Sequence, residues 1–549
     1  MDRRDFAKGI ALGAVTASPL AAAMQGGEAA EQSFDFVVYG GTAAGVTTAV
    51  AAARQGMKVA LLEARDHVGG MVTGGLSGTD VGKREVIGGM ALEFYMRAGR
   101  RYHLGEHMQS IAWVPEPHVA ESVFHEMLSG ANVTVLYRHR LKEGSGVAIS
   151  SGRIRSITME NGARFTAPLF ADCTYEGDLI AQAKVSYTVG REGVKQYGES
   201  LAGVQAKTDQ HQFHHPIPAR DASGKLYPEI GDYPMGTPGD GDKKVQAYNF
   251  RVIATNNPMK RLPWPKPAGY DPARYELLAL YLAGEVKRLN RVPRFNEVSL
   301  LRHIPDRKVD INNRGGFSSD YIGKNWEYPD GTYATRERIW NEHIAYQQGF
   351  YYFLSTDSRV PLPLQMEVKE WGLCSDEYED SDYWPNQLYV REARRMVGEF
   401  VATQKDLQTD LKKADAIGMG SYQSDSHNIQ RIVNAKGFVE NEGDVEVAVN
   451  PYQIPYRIML PKREECVNLL APVPFSASHI AFASLRMEPQ WMIIGHAAGV
   501  AASLAHKANK APHEIDVKQL QNILVEQGGV FEYVVPAQNS AMSKLQRVL

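Results

Sequence analysis

FDFVVYGGTAAG, residues 34–45, sets a β-branched and aromatic run directly against a cluster of small residues. Phe34 to Tyr39 has the near-continuous apolar character of a strand buried in a parallel sheet. Behind the small residues, Val46 to Gly56 is Ala-rich, free of proline and closed by glycine, which predicts a helix. Lys58 to Leu62, KVALL, predicts the next strand. Strand, glycine turn, helix and strand in this order make the β-α-β unit that binds dinucleotides. Gly40 serves the tight turn and Gly45 the close packing of helix on strand, while the helix start at Gly41, Thr42, Ala43 and Ala44 receives a pyrophosphate. Thr42 stands where the middle glycine usually is. It narrows the backbone's approach to phosphate but brings a hydroxyl that can hydrogen-bond. Glu63 closes the second strand near the ~20-residue spacing of the acid that hydrogen-bonds a ribose hydroxyl, and an acid there favours an unphosphorylated ribose.

Past Glu63, the run ARDHVGGMVTGGLSG carries Gly69, Gly70, Gly74 and Gly75, a second flexible loop along which a longer ligand can pass close to backbone. The pattern E-x5-G-G-M-x2-G-G-L resembles the FAD-dependent oxidoreductases of the glutathione-reductase-like superfamily. The resemblance implies FAD as cofactor, with Ala64, Gly69, Gly70, Met71, Gly74 and Gly75 around its pyrophosphate and flavin. Downstream, Asn132 to Tyr137 predicts a strand holding Val135, Val147 to Pro168 a glycine-punctuated meander, and Leu169 to Cys173 a strand entering Thr174-Tyr175-Glu176-Gly177-Asp178. In the family this part of the chain serves the adenosine half, which gives Val135, Thr174, Gly177 and Asp178 cofactor roles by resemblance.

Near the C-terminus, Ala, Gly and Met recur at helical spacing from Gln490 to Ala505, behind Pro489, a favourable helix start. In the resembling flavoproteins the positive end of this helix faces the flavin pyrimidine, where charge builds on reduction. Arg486 and Pro489 fall at that end. YNFR at 248–251, K-x-D-x-N-N at 308–313, YVREARR at 389–395 and DSHN at 425–428 also look like the family, and the likeness runs from about Asp35 to Gly528. Ala471-Pro472 departs from the Gly-Asp that many superfamily members place near the ribityl chain. The fold class expected is α/β, a Rossmann-type FAD-binding domain of glutathione-reductase-like form with an inserted mixed α+β substrate domain. Its expected divisions are a signal and linker at 1–30, FAD-binding parts at 31–183 and 450–528, the substrate domain at 184–449 and a tail at 529–549.

In the middle segment the strand and glycine pattern fades and Tyr, Trp, Pro and Asn rise, as at Pro263-Trp264-Pro265 and Asn325-Trp326. Such a surface suits a small polar, ring-bearing substrate such as a sugar. Flavin oxidation of an alcohol or amine calls for a base near neutral pKa, and His427 and His479 are the candidates. Cys466 leads into the segment expected to reach the flavin, where a thiol beside His427 would be reactive. Arg391, Arg394, Arg395 and Arg486 could bind an anion or serve ion pairs. An oxidase or dehydrogenase passing electrons to oxygen or another acceptor is the leading expectation. A reductase fed by a partner protein, or a flavin carrier, is the alternative, since no second complete G-x-G-x-x-G unit is present for a pyridine nucleotide.

The first residues place Arg3-Arg4 and Lys8 before a short apolar run from Ile10 to Leu20 and then Ala21-Ala22-Ala23. This order reads as a secretory signal, and Arg3-Arg4 with Phe6 resembles the twin-arginine type that exports folded proteins, giving a periplasmic or secreted expectation. No segment has the ~20 apolar residues of a membrane span. With Lys+Arg 60 against Asp+Glu 63, the net charge of -3 leaves no basic excess for nucleic acid. Three cysteines make no disulfide framework, and neither C-x-x-C nor H-E-x-x-H occurs, so no metal is expected.

Overall fold

The computed structural model describes residues 31–102, 111–206 and 208–535. The segment read above as an export signal lies outside the described residues, as does the end of the tail from residue 536. β1 (Phe36–Tyr39) is buried along its whole length. Its side chains alternate: Phe36 and Val38 join one apolar cluster, Val37 and Tyr39 another, so the strand is covered on both faces. Burying each such side chain contributes about 1.5–3 kcal/mol. α1 (Ala43–Arg54) starts three residues before the Ala-rich run, because Thr42 caps it by accepting from the Gly45 N–H at 3.2 Å. Gly56, at φ +93°, ends the turn into β2 (Val59–Leu62), which pairs parallel to β1.

α2 (Gly89–Arg101) and α3 (Pro117–Gly130) lead to β3 (Thr134–Leu136), parallel to β2. An antiparallel meander of β4 (Val147–Ser150), β5 (Arg153–Thr158) and β6 (Arg164–Thr166) precedes β7 (Leu169–Asp172), which pairs parallel to β1 on its other side. The middle of the chain builds a second, antiparallel sheet from β8 (Val252–Thr255), β9 (Arg261–Leu262), β10 (Ser299–Ile304), β11 (Lys308–Asn313) and, after the long helix α4 (Tyr333–Thr356), β12 (Gly372–Cys374).

The C-terminal part returns to the first sheet. β13 (Leu469–Leu470) adds parallel to β7 and completes the order β13-β7-β1-β2-β3. α5 (His479–Leu485) and α6 (Glu488–Ala508) follow. α6 lies directly on α1: a Cβ at Gly495 would overlap Ala44 O, one at Gly499 would overlap Thr48 O, and Thr47 Oγ1 donates to Met492 O at 3.1 Å. The architecture is mixed α/β, with the parallel sheet between the α1–α6 layer and the meander.

Candidate active site

The turn after β1 is built for backbone contact. Gly40 has φ +103°, and a Cβ there would stand 2.7 Å from the Cys173 carbonyl carbon; a Cβ at Gly45 would overlap Gly40 O. Thr42 has φ −61°, so its position makes no demand for glycine. Its hydroxyl donates to Cys173 O at 2.8 Å while capping α1, and so ties the turn to β7. Glu63 Oε2 accepts from the Gly41 N–H at 2.6 Å and Oε1 from the Arg65 N–H at 2.8 Å; burial raises its pKa against the pull of these donors. The Gly69 N–H donates to Gly41 O at 2.6 Å, and the Met71 N–H to Tyr175 Oη at 2.9 Å, so the two glycine loops are one unit.

A cavity of about 650 Å³ opens there, within the range of small-molecule sites. Gly40, Thr42, Glu63, Ala64, Gly70, Thr174 and Asp178 line it, as do Tyr333, Arg336 and Trp340 of α4. Ala43, Ala44 and Gly45 form the first turn of α1 beside it. Gly177, at φ +68°, precedes the short helix Asp178–Gln182. Asp178 is engaged by Arg336 and Arg394, each at 2.7 Å. Gly74 abuts Gln387, Gly75 abuts Arg251 O, and Val135 pairs with Leu61 in the sheet; none of these three lines the cavity.

The start of α6 has a different character. Pro489 sits in its first turn, and Glu488 accepts from Tyr175 Oη–H at 2.8 Å. Glu488 Oε2, both amide atoms of Gln490, Trp491 Nε1 and Arg486 Nε are buried with no hydrogen-bond partner among the described residues. Such groups are costly unless a ligand satisfies them. A cofactor carrying ring carbonyls, ring nitrogens, hydroxyls and a pyrophosphate fits both halves: bare glycine backbone at one end, unsatisfied donors and acceptors at the other.

Close by, the runs quoted from the sequence converge. Arg251 pairs with Asp310 through two bonds of 2.9 and 2.8 Å, and Asp310 accepts from the Gly78 N–H at 2.9 Å. His479, the first residue of α5, has Nδ1 2.7 Å from Glu392 Oε2 and Nε2 3.0 Å from Ser426 Oγ. Burial pushes the Glu392 carboxyl up, but His479 and Arg395 outweigh it and hold the group at about 2. His427 Nδ1 lies 2.8 Å from Asp320 Oδ2. Burial, helped by Arg391, lowers the His427 pKa against the pull of Asp320 and Asp425. Asp320 is pushed up by burial, yet Arg391, 3.0 Å away, and His427 hold it at about 2. Arg486 Nη1 donates to Tyr389 Oη at 3.0 Å and Nη2 to Asp425 O at 2.6 Å. Tyr248 Oη–H donates to Glu392 O, and Arg391 Nη1 to Ala247 O.

Cys466 differs from expectation. Its Sγ lies 3.7 Å from Asn468 Oδ1, in the cluster with Val37, Tyr39 and Ile154 on the meander side of the sheet, and burial raises its pKa. The partner of His427 is Asp320, not a thiol. No metal-ligand motif marks the sequence, yet His211, Asp444 and Glu446 each place a ligand atom within 4.8 Å of the others. Asp320, Glu392, Ser426 and Trp340 escaped the sequence reading as site residues. Glu392 and Ser426 sit inside the runs YVREARR and DSHN, which was the available signal; Asp320 and Trp340 lie in no such run.

Fold and site together define a flavin-binding oxidoreductase of the mixed α/β class. The chain belongs to the FAD dependent oxidoreductase family, whose model matches residues 35–524, and its cofactor is FAD. Among solved structures it is similar to L-proline dehydrogenase from P. horikoshii, at 14% identity over 30% of this chain and 59% of that one, TM-score 0.23. It is also similar to the OxyS anhydrotetracycline hydroxylase from Streptomyces rimosus, at 12% identity over 33% of this chain and 36% of that one, TM-score 0.22. T. acidophilum thioredoxin reductase matches at 20% identity over 26% of this chain and 34% of that one, TM-score 0.16. The chain thus spans 59% or less of these structures' length. No curated protein matches it. Among the described residues, no helix is long and apolar enough to cross a membrane.

Proposed function

We propose that this enzyme oxidises a small polar molecule, an alcohol or amine of sugar-like character, and passes the electrons to oxygen or another acceptor. Two buried histidines, each with Nδ1 held by a carboxylate, carry this reading. Bound FAD supplies the hydride acceptor. His427, with Asp320 fixing its ring, offers Nε2, 3.7 Å from Asp425 Oδ1, to take the O–H or N–H proton, and His479 Nε2 is held in a hydrogen bond with Ser426. Arg391 and Arg486 balance the charge of Asp320 and Asp425 around that step.

The cofactor unit in this reading is glutathione-reductase-like, formed by 31–183 and 450–528 around a substrate domain at 184–449. The aromatic and polar character of the middle segment supports a ring-bearing substrate. The N-terminal Arg3-Arg4 pattern supports export in the folded state, with FAD acquired beforehand. Anaerobic titration with sugars, alcohols and amines should bleach the flavin absorption with one class of compound. Bleaching by dithionite alone would overturn the oxidase or dehydrogenase reading. His427→Asn and His479→Asn identify the base: its loss lowers kcat about 10²–10⁴-fold. With His427 as base, activity falls on acidification only below the ordinary histidine range, because that pKa is lowered.

A further inference from the structure

We propose that the middle segment, through α4, supplies one wall of the subsite for the adenosine half of FAD, and that Trp340 is its central contact. The inference deepens the cofactor assignment above and rests on it. Glu63, the acid suited to a ribose hydroxyl, fixes which end of the cofactor the cavity receives. Tyr333, Arg336, Trp340 and Trp384 line the same cavity as Glu63 and Ala64.

This wall is anchored. Arg336 grips Asp178 through two bonds of 2.7 and 2.9 Å and donates from Nε to Tyr328 O at 2.9 Å. Tyr328 Oη–H donates to Glu176 Oε1 at 3.0 Å, and Tyr333 Oη–H to Leu141 O at 2.8 Å. The first turns of α4 are therefore bolted to the residues after β7 and to the chain before the meander. Trp340, one turn beyond Arg336, packs edge-on against Phe250 and lies under the Arg65 guanidinium, 3.8 Å from its ring centre. A flat aromatic face layered with a guanidinium, next to a ribose-binding acid, is suited to an adenine base, which stacks on both kinds of group. FMN, which has no adenosine, cannot use this wall.

The test is flavin binding by the full chain stripped of FAD, followed by flavin fluorescence, with Trp340→Ala, Trp340→Phe and Arg65→Ala beside the parent and with FMN and ADP as probes. Trp340→Ala should weaken FAD about tenfold or more, Trp340→Phe should restore most of the affinity, and neither should change FMN affinity. ADP should compete with FAD on the parent and lose that power on Trp340→Ala. Should Trp340→Ala fail to fold, Arg65→Ala, altered at an exposed position outside α4, reads the same stack. FAD affinity unchanged in both variants, or an equal loss for FMN, would overturn the proposal. A parent that binds no flavin at all would instead strike the cofactor reading beneath it.

Discussion

Glu488 has one carboxylate oxygen bonded to Tyr175 and the other with no hydrogen-bond partner among the described residues, and burial pushes its pKa up to about 8. The folded chain therefore keeps this proton over a range in which the unfolded chain, near 4.5, has released it. A raised carboxyl pKa makes folding progressively less favourable as pH climbs from about 4.5 towards 8, and the penalty vanishes below that window. Glu488→Gln removes the ionisation and keeps the shape. Unfolding of the flavin-free chain should show the variant more stable by on the order of 3–5 kcal/mol at pH 8, with the gap closing near pH 4.5. An equal gap at both ends would mean that Glu488 is ionised in the folded chain.

Among the elements, the contact of α1 with α6 leaves least room for change. Gly495 and Gly499 let the two helix backbones meet, and a side chain at Gly495 would be driven into Ala44 O. Gly495→Val should cost at least about 1–3 kcal/mol, the usual range for an overpacked core, and should lower flavin occupancy by tilting the start of α6. Gly130→Ala, at a helical position with open space around it, is the control and should leave flavin occupancy unchanged and stability unchanged or raised by up to about 1 kcal/mol. Unfolding midpoints and the absorbance ratio of flavin to protein measure both.

This level is also where the sequence was most readable. β1, α1, β2, the meander, β7 and α6 follow from periodicity and glycine placement, because local spacing decides them. The placement of Thr42 as cap and tie was readable only in part, since its bond to Cys173 joins two strands that are far apart in the chain. Position along the chain located Cys466 near β13 but not the face of the sheet it would occupy, and that face decided its surroundings. The carboxylates that hold the two histidines come from separate segments, around residues 320 and 392, with no period linking them.

For the whole molecule, Asp178 joins the parallel-sheet unit to the middle segment through Arg336 and Arg394. Both guanidiniums are about nine-tenths buried, so Asp178→Asn would leave Arg336 in the interior without its carboxylate and Arg394 with Asp330 alone. We expect a loss of about 3–5 kcal/mol in urea unfolding. Arg338→Ala, which breaks only the exposed pairs with Glu327 and Glu342, should cost no more than about 1 kcal/mol. A similar cost for both would mean that Asp178 is not the joint. The bond between Thr47 and Met492 spans 445 residues of sequence. At about 5–20 residues per second of synthesis, the first glycine turn waits roughly 20–90 s on the ribosome for the helix that covers it. Until then the face of α1 that will meet α6 is bare apolar surface. The nascent chain therefore passes through a long interval in which it needs shielding, and flavin supply matters only once translation is nearly over.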